Sequence, residues 1–181
     1  MRPDPHFPGT KHWEVLVGLV RDHGWKRGAE VGLLKGKTTR YMLSNCPGLF
    51  LYGIDQWKHL EPSTETGAEH YQRFDMEVCE ATVRTIAREF RGRLEILKGD
   101  SAEMANRVPD YSLDFAFIDA AHTATETSKN ITAWLPKLRP GGWMTGHDWN
   151  WPSVAKALDQ ELLHWTKHPE WVWSFIPNGR K

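Results

Sequence analysis

Two cysteines, Cys46 and Cys79, are too few in 181 residues for a disulfide framework or a four-cysteine zinc site. Neither charge is in surplus: 23 basic side chains balance 23 acidic ones. A dedicated nucleic-acid binder normally carries a basic excess for phosphate contacts, so no nucleic-acid partner is expected. The longest strongly apolar run, Val15 to Val20, is interrupted by Gly18 and is far too short to span a bilayer. The opening Met1-Arg2-Pro3-Asp4-Pro5 has no apolar core of a secretory signal. Repeats and low-complexity segments are missing as well. At 40% hydrophobic and 25% charged, the composition is that of an ordinary globule. One cytoplasmic domain over 1–181 is expected, because this length sustains one sizeable core. Only tryptophan is plentiful, with ten copies.

The chain alternates between two periodicities. Residues 1–9, with three prolines, read as a lead-in arm. Thr10 is a candidate cap for a helix carrying Trp13, Leu16, Val17 and Val20, which Gly24 stops. Short apolar stretches at 29–34, 50–55, 94–97, 113–119 and 143–146 read as strands, and 171–176 closes the chain as another. Between them lie helical patterns: 37–43, a long one from the Thr66/Glu69 capping box to Gly92, one capped by Thr123 and Glu126, and one opening at Pro152. Residues 56–91 form the expected lid loop and helix. This alternation predicts a mostly parallel sheet of about six to seven strands, covered on both faces, with six expected and the last edge trimmed. In such sheets the ligand sits outside the carboxyl ends of the strands. Glu30, Asp55, Asp100, Asp119, His147 and Asp148 all fall at or near those ends.

The first strand runs into Glu30-Val31-Gly32-Leu33-Leu34-Lys35-Gly36. This is not the G-x-G-x-x-G dinucleotide fingerprint. Gly36-Lys37-Thr38 would suit the end of a phosphate-wrapping loop, but residue 31 is valine where that loop needs glycine. Glu30 also brings negative charge where phosphates would sit. A P-loop-like NTPase is therefore the alternative enzyme reading. Asp55, at the end of the second strand, suits vicinal ribose hydroxyls, because a carboxylate offers only acceptors. An acid in the first turn and an acid for ribose fit a ligand with an amino group, a ribose and no phosphate. S-adenosylmethionine is such a ligand.

Glu30-x-Gly32-x-x-x-Gly36, Gly53-Ile54-Asp55-Gln56-Trp57, Gly99-Asp100-Ser101 and Phe117-Ile118-Asp119 resemble successive motifs of the class I S-adenosylmethionine-dependent methyltransferases, over about residues 10–165. The runs Asp114 to His122, Leu138 to Gly142 and Gly146-His147-Asp148 are similar to the branch of metal-dependent small-molecule O-methyltransferases of the macrolide-sugar type. The resemblance implies a Rossmann-like, doubly wound class I methyltransferase fold. It further implies that Glu30, Gly32, Gly36 and Thr38 hold the methionine part of the cofactor. Asp55 would take the ribose with Trp57 beside it, and Asp100 and Ser101 would address the adenine. Asp119 is expected at the cofactor as well. Leu34 departs from the pattern, where many members have another glycine.

Transfer of a methyl group to oxygen needs a hydroxyl that has lost most of its proton, and a divalent cation can lower its pKa. Asp119, His147 and Asp148 are the expected metal ligands, with magnesium first in view. His147 stands where the family usually has an acid, which brings in manganese, iron or zinc. The resemblance implies that His122, three residues after Asp119, is the catalytic base. Trp13, Trp134 and Trp165 are expected to pack. Trp149, Trp151 and Trp57 lie beside candidate site residues and suit a sugar, phenol or adenine face. The expected partner is a small-molecule hydroxyl acceptor, with a homo-oligomer in view. A non-catalytic nucleoside-binding module is the remaining alternative, needing Glu30 and Asp55 but not His122 or the acidic ligands.

Overall fold

The computed structural model describes residues 11–59, 71–120 and 122–177. The expected Thr10 cap and Thr66/Glu69 capping box lie outside them. Helix α1 (His12–Asp22) precedes strand β1 (Arg27–Val31), α2 (Lys37–Asn45) and β2 (Phe50–Asp55). Then follow α3 (Met76–Glu89), β3 (Leu94–Lys98), α4 (Ser101–Ala105), β4 (Leu113–Ile118) and α5 (Ala124–Trp134). The chain closes with β5 (Leu138–Gly146), α6 (Pro152–Glu161), β6 (Thr166–Lys167) and β7 (Trp173–Phe175).

The seven strands form one sheet in the order β3-β2-β1-β4-β5-β7-β6. The first five are parallel, and β7 runs antiparallel to both β5 and β6. The edge is therefore completed by a hairpin, one strand more than the six expected. The chain order reverses between β1 and β4, which opens a crevice at their carboxyl ends.

Each sheet face buries its own apolar cluster. Leu16, Val17 and Val20 of α1, Met42 and Leu43 of α2 and Val83 and Ile86 of α3 cover one face, packing on Leu51, Phe115 and Phe117. Ile131 and Trp134 of α5 with Val154 and Leu158 of α6 cover the other, packing on Ala29, Ile54, Ala116 and Met144. Burial of these side chains is the main favourable term for the sheet. Local signals agree at several ends. Thr123 accepts the Glu126 amide, and Pro152 sits in the first turn of α6. The long helix differs from its expectation. The chain turns at 72–75, and α3 starts at Met76 because the Asp75 carboxylate accepts the amides of Glu77 and Val78. Strand β5 is also longer than expected, running through Pro140-Gly141-Gly142 with an irregular register against Leu113 and Phe115.

Candidate active site

A cavity of about 360 Å³ opens at the carboxyl ends of β1, β2 and β4. Of the expected site residues, Glu30, Gly32, Thr38, Asp55, Asp100, Ser101 and Asp119 line it. The turn after β1 is shaped by glycine where nothing else fits. Gly32 has φ 94°, and a Cβ there would stand 2.0 Å from the Asp119 carbonyl oxygen. Gly36 caps α2 in the left-handed region.

Leu34, the departure from the glycine pattern, also adopts a left-handed conformation with φ 47°. Its surroundings hold it there. Asp55 Oδ2 accepts the amides of Leu33 and Leu34 at 2.9 and 2.8 Å, and the Trp57 indole donates to the Leu34 carbonyl at 2.9 Å. Asp55 Oδ1 accepts the Trp57 amide at 2.7 Å. Trp57 itself is buried in the core cluster behind the turn and does not line the cavity. Its aromatic bulk buttresses the loop, in place of the expected position beside a ribose. The two amides that a phosphate-wrapping loop would offer are thus taken by a carboxylate, and this disfavours the NTPase alternative.

Glu30 is 2% exposed. Thr39 Oγ1 donates to its Oε2 at 2.6 Å, a partner that sequence reasoning missed. Burial pushes its carboxyl up to about 8, against the smaller opposing effect of the Thr39 bond. Asp100 caps α4 by accepting the amides of Ala102 and Glu103, and its Oδ2 pairs with Lys129 at 2.9 Å. Ser101 Oγ accepts the Trp134 indole at 2.8 Å.

His12 is a lining residue that the sequence reading passed over. Its Nε2 lies 2.8 Å from Thr38 Oγ1, and its ring is 4.4 Å from that of His147. Burial pulls its pKa down to about 4, so it is neutral at pH 7. A signal was present: His12 is one helical turn before Leu16 and two before Val20, on the apolar stripe of α1. Trp13, expected to pack, lines the cavity too and carries Lys37 Nζ over its ring at 4.1 Å.

Behind Asp119 lies a second group of polar side chains. Asp119, His122 and Asp148 each bring one ligand-type atom to within 4.8 Å of the others. His122 Nε2 is 2.8 Å from Asp148 Oδ2. The His122 ring stacks on Trp151 with centroids 5.0 Å apart, and its carbonyl accepts the Ser153 hydroxyl. Asp148 has φ 61°, a strained backbone for a non-glycine residue. His147 stands one step outside that trio. Its Nε2 donates to the Glu170 carbonyl at 2.9 Å, and its Nδ1 faces Asp148 Oδ1 at 3.2 Å and Asp119 Oδ1 at 3.7 Å. Burial lowers the His147 pKa, but the two carboxylates outweigh it and push the group up to about 10. Burial would raise Asp148, and hydrogen bonds from His122 and His147 hold it instead below the usual carboxylate range.

A family model described as a methyltransferase domain matches residues 29–149, which hold every strand from β2 to β5 and most of β1. Among solved structures, the O-methyltransferase NovP superposes with a TM-score of 0.65 at 14% identity, over 91% of this chain and 77% of its own. A Bacillus cereus O-methyltransferase solved with SAH gives 0.62 at 16%, over 96% and 84%. CalS11, a TDP-rhamnose 3'-O-methyltransferase of calicheamicin biosynthesis, gives 0.59 at 17%, over 92% and 77%. No curated protein sequence matches. The chain belongs to the methyltransferase-domain family, and its sheet is the Rossmann-like arrangement of the class I S-adenosylmethionine-dependent methyltransferases. Among the described residues, no helix is long and apolar enough to cross a membrane.

Proposed function

We propose that residues 1–181 act as one S-adenosylmethionine-dependent methyltransferase domain whose acceptor is a hydroxyl on a small molecule, a sugar or a phenol. The observation that carries this reading is the buried Glu30 carboxylate, which opens on a cavity also lined by Asp55, Asp100 and Asp119. An ammonium group suits Glu30, because a cation entering a dry site restores the charge that burial suppresses. Thr38 and Gly32 border the cavity and would hold the rest of the methionine part, with Gly36 shaping the turn as the cap of α2. Asp55 has about one lone-pair site left, on Oδ1, for a ribose hydroxyl after accepting three amides. Asp100 and Ser101, further along the rim, border the place for the adenine.

Oxygen as the acceptor atom is supported by NovP and CalS11, whose own names give O-methylation and, for CalS11, a deoxysugar nucleotide. The resemblance to the metal-dependent O-methyltransferase branch implies a divalent cation, and the donors behind the cavity fit one. Asp119 and Asp148 supply carboxylate oxygens, and Asp148 is buried with the His147 ring nitrogen 3.2 Å from its Oδ1. When bound, the cation would lower the pKa of an acceptor hydroxyl and orient it. Asp119 belongs to both the cavity and the donor cluster, so it joins the cofactor region to the acceptor region. Magnesium or manganese is the starting choice for assays.

An acceptor screen with methyl-labelled cofactor tests the reading, across glycosides, sugar nucleotides and phenols. Label on an acceptor oxygen is expected. Label confined to nitrogen or carbon acceptors, or hydrolysis of ATP with no methyl transfer, would overturn it.

A further inference from the structure

His122 is not among the described residues that line the cofactor-sized cavity, although the ring of Tyr71, which does line it, lies 6.4 Å from its own. Among the described residues, that lining includes Asp119 but neither His122 nor Asp148. Both lie behind it, 6% exposed. A base must present its lone pair to the acceptor hydroxyl within hydrogen-bond reach. His122 instead points at Asp148 Oδ2, with Trp151 against one face of its ring. Beside the trio is a separate void of about 10 Å³, walled in part by Asp119, His122 and His147. That is close to the room a single small sphere needs. Three buried or half-buried ligand-type atoms within 4.8 Å of one another, and an ion-sized void that Asp119 and His122 line, lie side by side behind the cavity.

We propose that Asp119, His122 and Asp148 form a mixed nitrogen–oxygen metal centre, with His122 as a ligand in place of a base, and that this centre selects a first-row transition ion over magnesium. The proposal rests on the methyltransferase reading and specifies its metal. Magnesium demands oxygen ligands and sheds water reluctantly, so an imidazole in the set penalises it. Manganese, iron, cobalt and zinc accept imidazole together with carboxylate. Trp151 and the Ser153 bond to the His122 carbonyl fix the ring where the ligand is needed, as supporting contacts around metal-bound histidines do. His147, tied to the Glu170 carbonyl, would orient Asp148 from outside the set.

The test uses the full chain stripped by chelator. Manganese and magnesium chlorides are titrated calorimetrically, and the manganese complex is examined by pulsed electron paramagnetic resonance for directly bound nitrogen. One manganese equivalent is expected, at least about tenfold tighter than magnesium, with a clear nitrogen modulation. His122→Ala should lose the modulation and weaken manganese by about tenfold or more, since even removing a supporting partner of a ligand costs that much. His147→Ala should keep the modulation. SAH affinity, measured in every variant, reports that the fold and the cofactor cavity are intact. Should His122→Ala fail to fold, the wild-type spectrum and the His147→Ala variant decide alone. Magnesium binding as tight as manganese, a manganese spectrum without nitrogen, or modulation lost only in His147→Ala would each overturn the proposal. So would the absence of any metal binding by a protein that binds SAH normally, and the methyltransferase reading would then survive. Failure of the wild-type protein to bind SAH would overturn that reading instead.

Discussion

Replacing Asp55 should damage the protein in two separable ways. Its carboxylate accepts three backbone amides, from Leu33, Leu34 and Trp57, at 2.9, 2.8 and 2.7 Å. Bonds to a charged acceptor contribute about 1.5–3 kcal/mol each, and water can replace some of that at a half-buried site. Asp55→Ala should therefore cost about 3–5 kcal/mol in the absence of cofactor, a large share of the 5–15 kcal/mol typical of a domain. Asp55→Asn is the milder probe. Its one carbonyl oxygen can keep the Leu33 and Leu34 amides, but its NH₂ then faces the Trp57 amide, for a cost of about 1–3 kcal/mol. Cofactor affinity should fall in both variants by about 1–3 kcal/mol through a lost ribose contact. Chemical denaturation of the cofactor-free protein measures the first effect, and calorimetry with S-adenosylmethionine measures the second. Asp55→Ala with unchanged cofactor-free stability would refute the stapling role, and unchanged cofactor affinity would remove Asp55 from the binding site.

Glu30 predicts a pH dependence. Burial raises its carboxyl from an ordinary 4.5 to about 8, so the folded protein holds a proton that the unfolded chain releases. Its contribution to stability is full below about pH 4.5 and lost as pH rises through 8. The melting temperature of the cofactor-free protein should fall from pH 6 to 9, and Glu30→Gln should flatten that slope. Cofactor binding at pH 7 should release up to about one proton, read by calorimetry in buffers of different ionisation enthalpy, and an unchanged heat across buffers would contradict it. Gly32→Ala should be severely destabilised, because its Cβ would meet the Asp119 carbonyl at 2.0 Å, whereas Gly18→Ala meets nothing within 4 Å. Being helical, Gly18→Ala should gain up to about 1 kcal/mol by denaturation. Trp57→Phe should lose about 1 kcal/mol with the Leu34 carbonyl bond, and adding Leu34→Gly should recover part of it by relieving the left-handed backbone. An additive double variant would show that the two are not coupled.

The parallel part of the fold was legible because buried strands leave short apolar runs and their ends carry acids. Glu30, Asp55 and Asp119 stood out for that reason, and the cavity is where those runs end. Of the closing hairpin, β7 was legible within 171–176 and β6 was not. Strand β6 is Thr166–Lys167, both exposed, and two polar residues leave no periodic trace. The start of α3 was misplaced because Tyr71 and Phe74 fit the apolar spacing, while a three-dimensional turn and the Asp75 cap set the boundary. Trp57 was drawn to the ribose by adjacency to Asp55. Its positive φ of 46°, which no local pattern announces, turns it into the core. His12 lay in plain sight as a polar residue on an apolar stripe. Its meaning depended on α1 packing beside Thr38 and His147, a contact between segments far apart in sequence.

Every role proposed for the site depends on S-adenosylmethionine occupying the cavity at the ends of β1, β2 and β4. Calorimetric titration of the full chain with S-adenosylmethionine, and separately with ATP, tests it most directly. One equivalent of S-adenosylmethionine is expected to bind, weakened by about 1–3 kcal/mol in Asp55→Asn, with no comparable binding of ATP. ATP bound in preference to S-adenosylmethionine, or an Asp55→Asn variant with wild-type cofactor affinity, would contradict it.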